Sequence, residues 1–127
     1  MNGKPIPFLS FKGIQTEAAL AFYKKVFPKF EIKSVTHYPD NEAVLTAEFT
    51  LMGQDFLAMD CDFDGVPEPN WSVSFYLELE SEELYDQLFE QLSDKGNVIM
   101  SETNFNHWKK LCWVTDTFGV TWQLLWK

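Results

Sequence analysis

Residues 71–96, WSVSFYLELESEELYDQLFEQLSDKG, decide how this chain is organised. Trp71 to Glu80 alternates apolar and polar side chains with the period of a strand. At Ser81-Glu82-Glu83 the period lengthens. Ser81 can accept from an orphan amide at a helix start, the two acids suit the positive end of a helix dipole, and Leu84, Leu88 and Leu92 recur at the spacing of one apolar face. Gly96 stops the helix.

A strand running straight into an amphipathic helix is also how the chain opens. Ile6 to Phe11 is short and apolar, and Lys12-Gly13 ends it. From Thr16, which can cap a helix, Glu17 lies in the first turn, Leu20, Tyr23 and Phe27 mark one face, and Lys24 and Lys25 the other; Pro28 ends the run. Three strands are expected after it: Glu31 to Tyr38, Ala43 to Leu51 and Asp55 to Cys61, joined through Pro39-Asp40-Asn41 and Met52-Gly53-Gln54. After the second helix come Asn97 to Ser101, His107 to Thr115 and Val120 to Trp126, the last two joined by the turn Asp116-Thr117-Phe118-Gly119.

The order strand, helix, strand, strand, strand therefore occurs twice, in residues 5–62 and 70–127. Sequence similarity between the halves is faint: Ser10-Phe11 falls on Ser74-Phe75, and Gly53-Gln54-Asp55-Phe56 on Gly119-Val120-Thr121-Trp122. The fold class is α+β, two βαβββ modules whose mostly antiparallel strands form a cupped sheet around a shared cleft. With 127 residues, the chain suffices for one domain, 1–127, and is too short for two independent cores.

Composition narrows the function. Acids outnumber bases 19 to 10, for a net charge of −9, which repels phosphate backbones and anionic lipid, so no nucleic acid and no membrane partner is expected. All 10 basic residues are Lys, so no guanidinium fork is available for an anion. No apolar run approaches the roughly 18 residues of a membrane span. Only Cys61 and Cys112 are present, and the opening MNGKPIPFLSF lacks a signal-peptide layout, which points to the cytoplasm and to reduced thiols.

The opening PFLSFKGIQTEAALAFYKKVFP, the middle LMGQDFLAMD followed by NWSVSFYLE, and the ending LCWVTDTFGVTWQLLW together resemble the PhnB-like branch of the vicinal oxygen chelate superfamily. That superfamily is the glyoxalase, bleomycin-resistance and extradiol-dioxygenase group, and the resemblance spans nearly the whole chain. Sequences of this branch often carry a demethylubiquinone methyltransferase label. Nothing here resembles a glycine-rich nucleotide loop after a strand, so methyl transfer is not inferred. The resemblance implies paired βαβββ modules, often completed by a homodimer, and in metal-dependent members two ligands per module on inward-facing strand positions. Carried over by motif, those positions are Phe8, Leu57, Ser72 and Gln123. Phe and Leu offer no lone pair, a Ser hydroxyl is weak and a Gln carbonyl is neutral, so the set is poor for a divalent cation, and no metal and no cofactor is expected. The neighbours Leu9, Trp71, Val73, Trp122 and Leu124 are no better.

Other constellations are weaker. Asp60-Cys61-Asp62-Phe63-Asp64-Gly65 matches the first half of a Ca²⁺ loop, but the twelfth position is Trp71 where a bidentate Glu is needed, so a solvated acidic loop is expected. His37 and His107 could each act as a base, with no carboxylate or nucleophile at a spacing that fixes geometry; a surface or interface role is the simpler reading. Cys112 between Leu111 and Trp113 reads as a buried inert thiol, and Asp60 and Asp62 beside Cys61 disfavour its thiolate. Glu82, Glu83, Asp86, Glu90 and Asp94 make a solvated helix face, while Trp108 and Trp126 suit a dimer contact.

The aromatics carry the functional expectation. The resemblance places Phe8, Trp113 and Trp122 on strands around the cavity, with Ser10, Ser72, Ser74 and Gln123 as hydrogen-bonding groups, a lining suited to a planar or apolar small molecule. The same rings could simply fill the core, and alternation does not let Trp113 and Trp122 both be assigned inward without the pleat. The expected protein is a homodimeric, metal-free binder of a small organic molecule. The alternative is an enzyme of the same superfamily, either a metal-dependent lyase or dioxygenase or a His-based isomerase; a third reading is an interaction module with a filled core.

Overall fold

Two strand-to-helix corners organise the fold, and they are capped by different means. The computed structural model describes residues 3–61 and 65–127. Its elements run β1 (Phe8–Lys12), α1 (Thr16–Val26), β2 (Phe30–His37), β3 (Val44–Leu51), β4 (Gln54–Cys61), β5 (Phe75–Leu79), α2 (Glu82–Ser93), β6 (Asn97–Phe105), β7 (Trp108–Thr115) and β8 (Thr121–Trp126). Ser81 caps α2 as its sequence suggests, its hydroxyl accepting from Leu84 N at 3.2 Å. Thr16 does not cap α1. It is the first helical residue, and the cap comes from Asp60 on β4, whose Oδ1 accepts from Gln15 N at 2.9 Å, Thr16 N at 2.8 Å and Thr16 Oγ1 at 2.8 Å. Its Oδ2 accepts from Val44 N at 2.8 Å, tying the start of β3 to the same carboxylate.

Burial of Asp60 opposes its charge, but the hydrogen bonds from Val44, Gln15 and Thr16 outweigh that and hold its carboxyl below the ordinary 3.8. Both oxygens are thus committed to the fold. Of the Ca²⁺-like motif, Asp62, Phe63 and Asp64 lie outside the described residues.

The chain divides into two compact units, Met1–Pro69 and Asn70–Lys127. Each holds one four-stranded mixed sheet, ordered β1-β4-β3-β2 in the first and β5-β8-β7-β6 in the second. In each, the strand before the helix pairs parallel to the unit's last strand, and the other pairs are antiparallel. In the first unit, β3 and β4 are joined by Met52-Gly53, with φ of 50° and 83°, the left-handed conformation that a two-residue hairpin requires and that Gly53 adopts without strain.

Each sheet buries one face under its own helix. Asp60 at the start of α1 fixes Phe56, Ala58 and Asp60 on that side of β4, where Phe49 of β3 stacks on Phe56 with centroids 5.3 Å apart. In the second unit, Tyr85 of α2 bonds to Cys112, and Lys110 reaches Glu82 at 3.0 Å and Asp86 at 2.8 Å, so Lys110, Cys112 and Val114 face α2. Glu82 and Asp86 are thereby engaged with β7, where the sequence suggested a wholly solvated face. Gly96 follows α2 so closely under β7 that a Cβ would lie 2.2 Å from Thr115 O, which excludes any larger residue.

Two strand ends differ from expectation. The alternation of Trp71 to Ser74 does not join the ladder, because Asn70 Oδ1 accepts from Ser72 N at 2.8 Å and turns the chain there. β6 runs on to Phe105 although its side chains are mostly exposed, because pairing with β7 continues as far as Phe105 opposite Trp108. Among the described residues no helix is long and apolar enough to cross a membrane.

Candidate functional site

Strand alternation gives each sheet a second face, free of its own helix, and cross-strand register assembles that face in rows. In the first unit one row runs Phe8, Leu57, Glu48, Ser34 from β1 to β2. Ser10 stands beside it, opposite Met59. The expected residues Phe8, Ser10 and Leu57 therefore share the helix-free face of the first sheet, and Phe8 is 47% exposed.

In the second unit the corresponding row runs Tyr76, Gln123, Trp113, Met100 across β5, β8, β7 and β6. Gln123 Nε2 donates to Ser74 Oγ at 2.8 Å, and Trp71 meets Trp113 edge to face, with centroids 5.4 Å apart at 67°. Trp113 Nε1 is buried and has no hydrogen-bond partner among the described residues. Ser74, Trp113 and Gln123 thus come together, with Trp71, Tyr76 and Met100 added. The next row is Glu78, Leu125, Leu111, Glu102.

Trp122 goes the other way. It pairs with Val114 on the helix-covered side, is 1% exposed, and donates Nε1 to Asp116 Oδ2 at 3.0 Å. Asp116 also accepts from Phe118 N at 2.8 Å and Val120 N at 3.1 Å, so this tryptophan packs the core and anchors the last turn. Of the two tryptophans expected around the cavity, Trp113 and Trp122, the pleat gives the helix-free face to Trp113.

Ser72 lies before β5, and the residue opposite Gln123 is Tyr76. The pairing Phe8 with Leu57 is therefore matched in the second unit by Tyr76 with Gln123, four residues beyond the Ser10-Phe11 to Ser74-Phe75 correspondence. Tyr76 shares the alternation parity of Ser72 and Ser74, a signal present in the sequence, but its register needs the ladder. Partial burial and the neighbouring Glu78 carboxylate push the Tyr76 phenol above 10.0, so it keeps its proton. With Phe8, Leu57, Gln123 and either Ser72 or Tyr76, the positions that would hold a metal supply no charged donor, and the residues do not fit one. Among the described residues no group of three or more His, Cys, Asp or Glu could hold a metal ion.

The histidines lie elsewhere. His37 Nε2 meets Glu17 Oε1 of α1 at 2.6 Å, which turns it to the helix side of its sheet, and His107 is exposed in the β6–β7 turn with its ring 4.8 Å from Trp108. Burial pushes the Cys112 thiol up, and burial and the bond to Cys112 push the Tyr85 phenol up, so neither offers a nucleophile near neutral pH. Trp108 and Trp126, expected at a dimer contact, are half-buried, with Lys127 Nζ 5.8 Å from the Trp108 ring and Lys109 Nζ 4.9 Å from the Trp126 ring.

The sequence pattern of the 3-demethylubiquinone-9 3-methyltransferase family matches residues 3–125. The chain belongs to this family. It is similar to the PhnB protein from Bacillus cereus, to which the same methyltransferase label is attached with a qualifier, at 33% identity and a TM-score of 0.89, over 98% of this chain and 99% of that one. A glyoxalase/bleomycin resistance protein/dioxygenase domain from Frankia shares the fold at 13% identity and a TM-score of 0.66, over 99% of this chain and 98% of that one. So does the fosfomycin resistance protein FosX from Listeria monocytogenes, solved with Mn(II) and dihydroxypropylphosphonic acid, at 15% identity and a TM-score of 0.68, over 98% of this chain and 92% of that one. No protein with a curated description matches the chain. The vicinal oxygen chelate fold is common to this PhnB family and to those two neighbours, whereas the Mn(II) belongs to FosX.

Proposed function

We propose that this PhnB-family chain binds a small, flat organic molecule on the helix-free face of its second sheet, without a metal ion. One observation carries the reading: the buried Nε1 of Trp113, unpartnered among the described residues, stands in the same row as the Gln123 amide that holds Ser74. A buried donor without a partner costs about 1–3 kcal/mol, a cost that an acceptor on a bound molecule would remove. The rings of Trp71, Trp113 and Tyr76 offer stacking area, and Gln123 Oε1 and the Ser74 hydroxyl proton, without a partner among the described residues, can orient a polar edge.

Methyl transfer by a nucleotide-type cofactor is not part of this reading. The strand-to-helix connections are residues 13–15 and 80–81, and neither is the glycine-rich turn that lets backbone approach a phosphate. The enzyme alternative using a histidine base has less support, since His37 is held by α1 and His107 lies in a turn.

The test is thermal stabilisation by a panel of planar heteroaromatic compounds, followed by calorimetry on wild type, Gln123→Ala and Trp113→Phe. Saturating ligand at 100 times Kd should stabilise the fold by about 2.7 kcal/mol, and both variants should bind more weakly while remaining folded. No stabilisation by any compound, or undiminished binding to both variants, would sink the proposal.

A further inference from the structure

We infer that the second sheet selects a flat organic cation over its neutral or anionic counterparts. This rests on the binding reading above and adds the charge class of the ligand. The rows of the helix-free face carry two carboxylates, Glu78 beside Tyr76 on β5 and Glu102 on β6, flanking Leu125 and Leu111. Among the described residues neither carboxylate is in an ion pair, in contrast to Glu82 and Asp86, which hold Lys110 on the opposite side of the sheet.

No lysine stands in these rows, and the chain has no arginine. Lys109 has the parity of Leu111 and Trp113, and Lys127 that of Leu125 and Gln123, but the Lys109 Nζ lies 4.9 Å from the centre of the Trp126 ring and the Lys127 Nζ 5.8 Å from that of Trp108, towards the start of β7. An anion here would find two carboxylates to repel it, the nearest lysines being held over the Trp126 and Trp108 rings. A delocalised cation would find the π faces of Trp113, Trp71 and Tyr76, with Glu78 one strand step from Tyr76, the combination that cation–π recognition uses. Tyr76 is 54% and Trp71 55% exposed, so both rings are accessible at the surface of their unit.

The experiment compares three probes of nearly equal shape, each carrying a methoxy oxygen that can accept from the Trp113 N–H, by calorimetry at low and high salt: the 6-methoxy-N-methylquinolinium cation, 6-methoxyquinoline (the quinoline probe) and the 6-methoxy-2-naphthoate anion (the naphthoate probe). At low salt the cation should bind at least about fivefold tighter than quinoline, with naphthoate the weakest, and the preference should shrink as salt screens the carboxylates. Glu78→Gln should bring cation and neutral probe to within about twofold; Glu102→Gln should narrow the gap less. Quinoline binding without a cation preference would overturn the charge inference and leave the binding reading standing. Binding by none of the three up to millimolar concentration would overturn both.

Discussion

Gln123 and Ser74, 49 positions apart, share a 2.8 Å hydrogen bond that crosses from β8 to the segment leading into β5. The bond fixes the amide so that its carbonyl oxygen points away from Ser74, while Trp113 lies opposite Gln123 on the next strand. Ser74→Ala removes the acceptor and lets the amide rotate. The expected result is a several-fold loss of affinity for planar ligands with a stability change of about 1 kcal/mol or less, read by calorimetry and by denaturant titration of the same samples.

The Asp60 carboxylate should matter far more to stability than any surface ion pair. Asp60→Ala leaves the Gln15, Thr16 and Val44 amides without their acceptor and should cost at least about 1–3 kcal/mol. Because the folded carboxyl sits below its unfolded value near 3.8, its contribution is fully present above that pH and is lost as the pH falls through the lower, folded value. Denaturant midpoints measured from pH 6 down to pH 2 should therefore fall for the wild type, and Asp60→Asn should flatten the acid part of that fall.

The exposed His37–Glu17 pair makes the opposite prediction. Its removal by His37→Ala should change stability by less than about 1 kcal/mol, and neither His37→Ala nor His107→Ala should alter ligand affinity. A large loss of binding or of turnover in either variant would revive a histidine-based enzyme.

Both thiols should be inert in the folded chain. Cys61 and Cys112 are buried, and burial raises the Cys112 thiol above its usual 9.0. Thiol reagent at pH 8 should find both cysteines only after denaturation, a result read from the absorbance of the released chromophore.

Local patterning made the two modules legible: the Ser81 cap, the Leu84, Leu88 and Leu92 face, and the tight turn at Met52-Gly53 are all short-range signals. What stayed hidden depends on register. Asp60 caps a helix that begins 44 residues earlier in the chain, and no local rule links Thr16 to it. Trp113 and Trp122 look alike in sequence and differ by one strand parity, settled when Lys110 on β7 is seen paired with Glu82 and Asp86 of α2. Tyr76 stood unmarked because its place opposite Gln123 is set by the pairing of β5 with β8, four residues from where the similarity of Ser10-Phe11 to Ser74-Phe75 would put it.

Metal content offers a chemical check on the donor set. Protein purified without chelator or affinity tag, then incubated with Zn²⁺, Ni²⁺, Mn²⁺ or Fe²⁺ and desalted, should retain well under one equivalent by elemental mass spectrometry. One equivalent per chain, lost on Gln123→Ala, would return metal-assisted chemistry to first place.

The indole N–H resonances of ¹⁵N-labelled protein test the central claim most directly, since Trp113 and Trp122 report opposite faces of one sheet. On titration with quinoline or its N-methyl cation, the Trp113 indole resonance should move saturably, with Trp71 following. Trp122, bonded to Asp116 in the core, should stay in place. Movement confined to Trp108 and Trp126, or no movement at all, would contradict a binding face centred on Trp113 and Gln123.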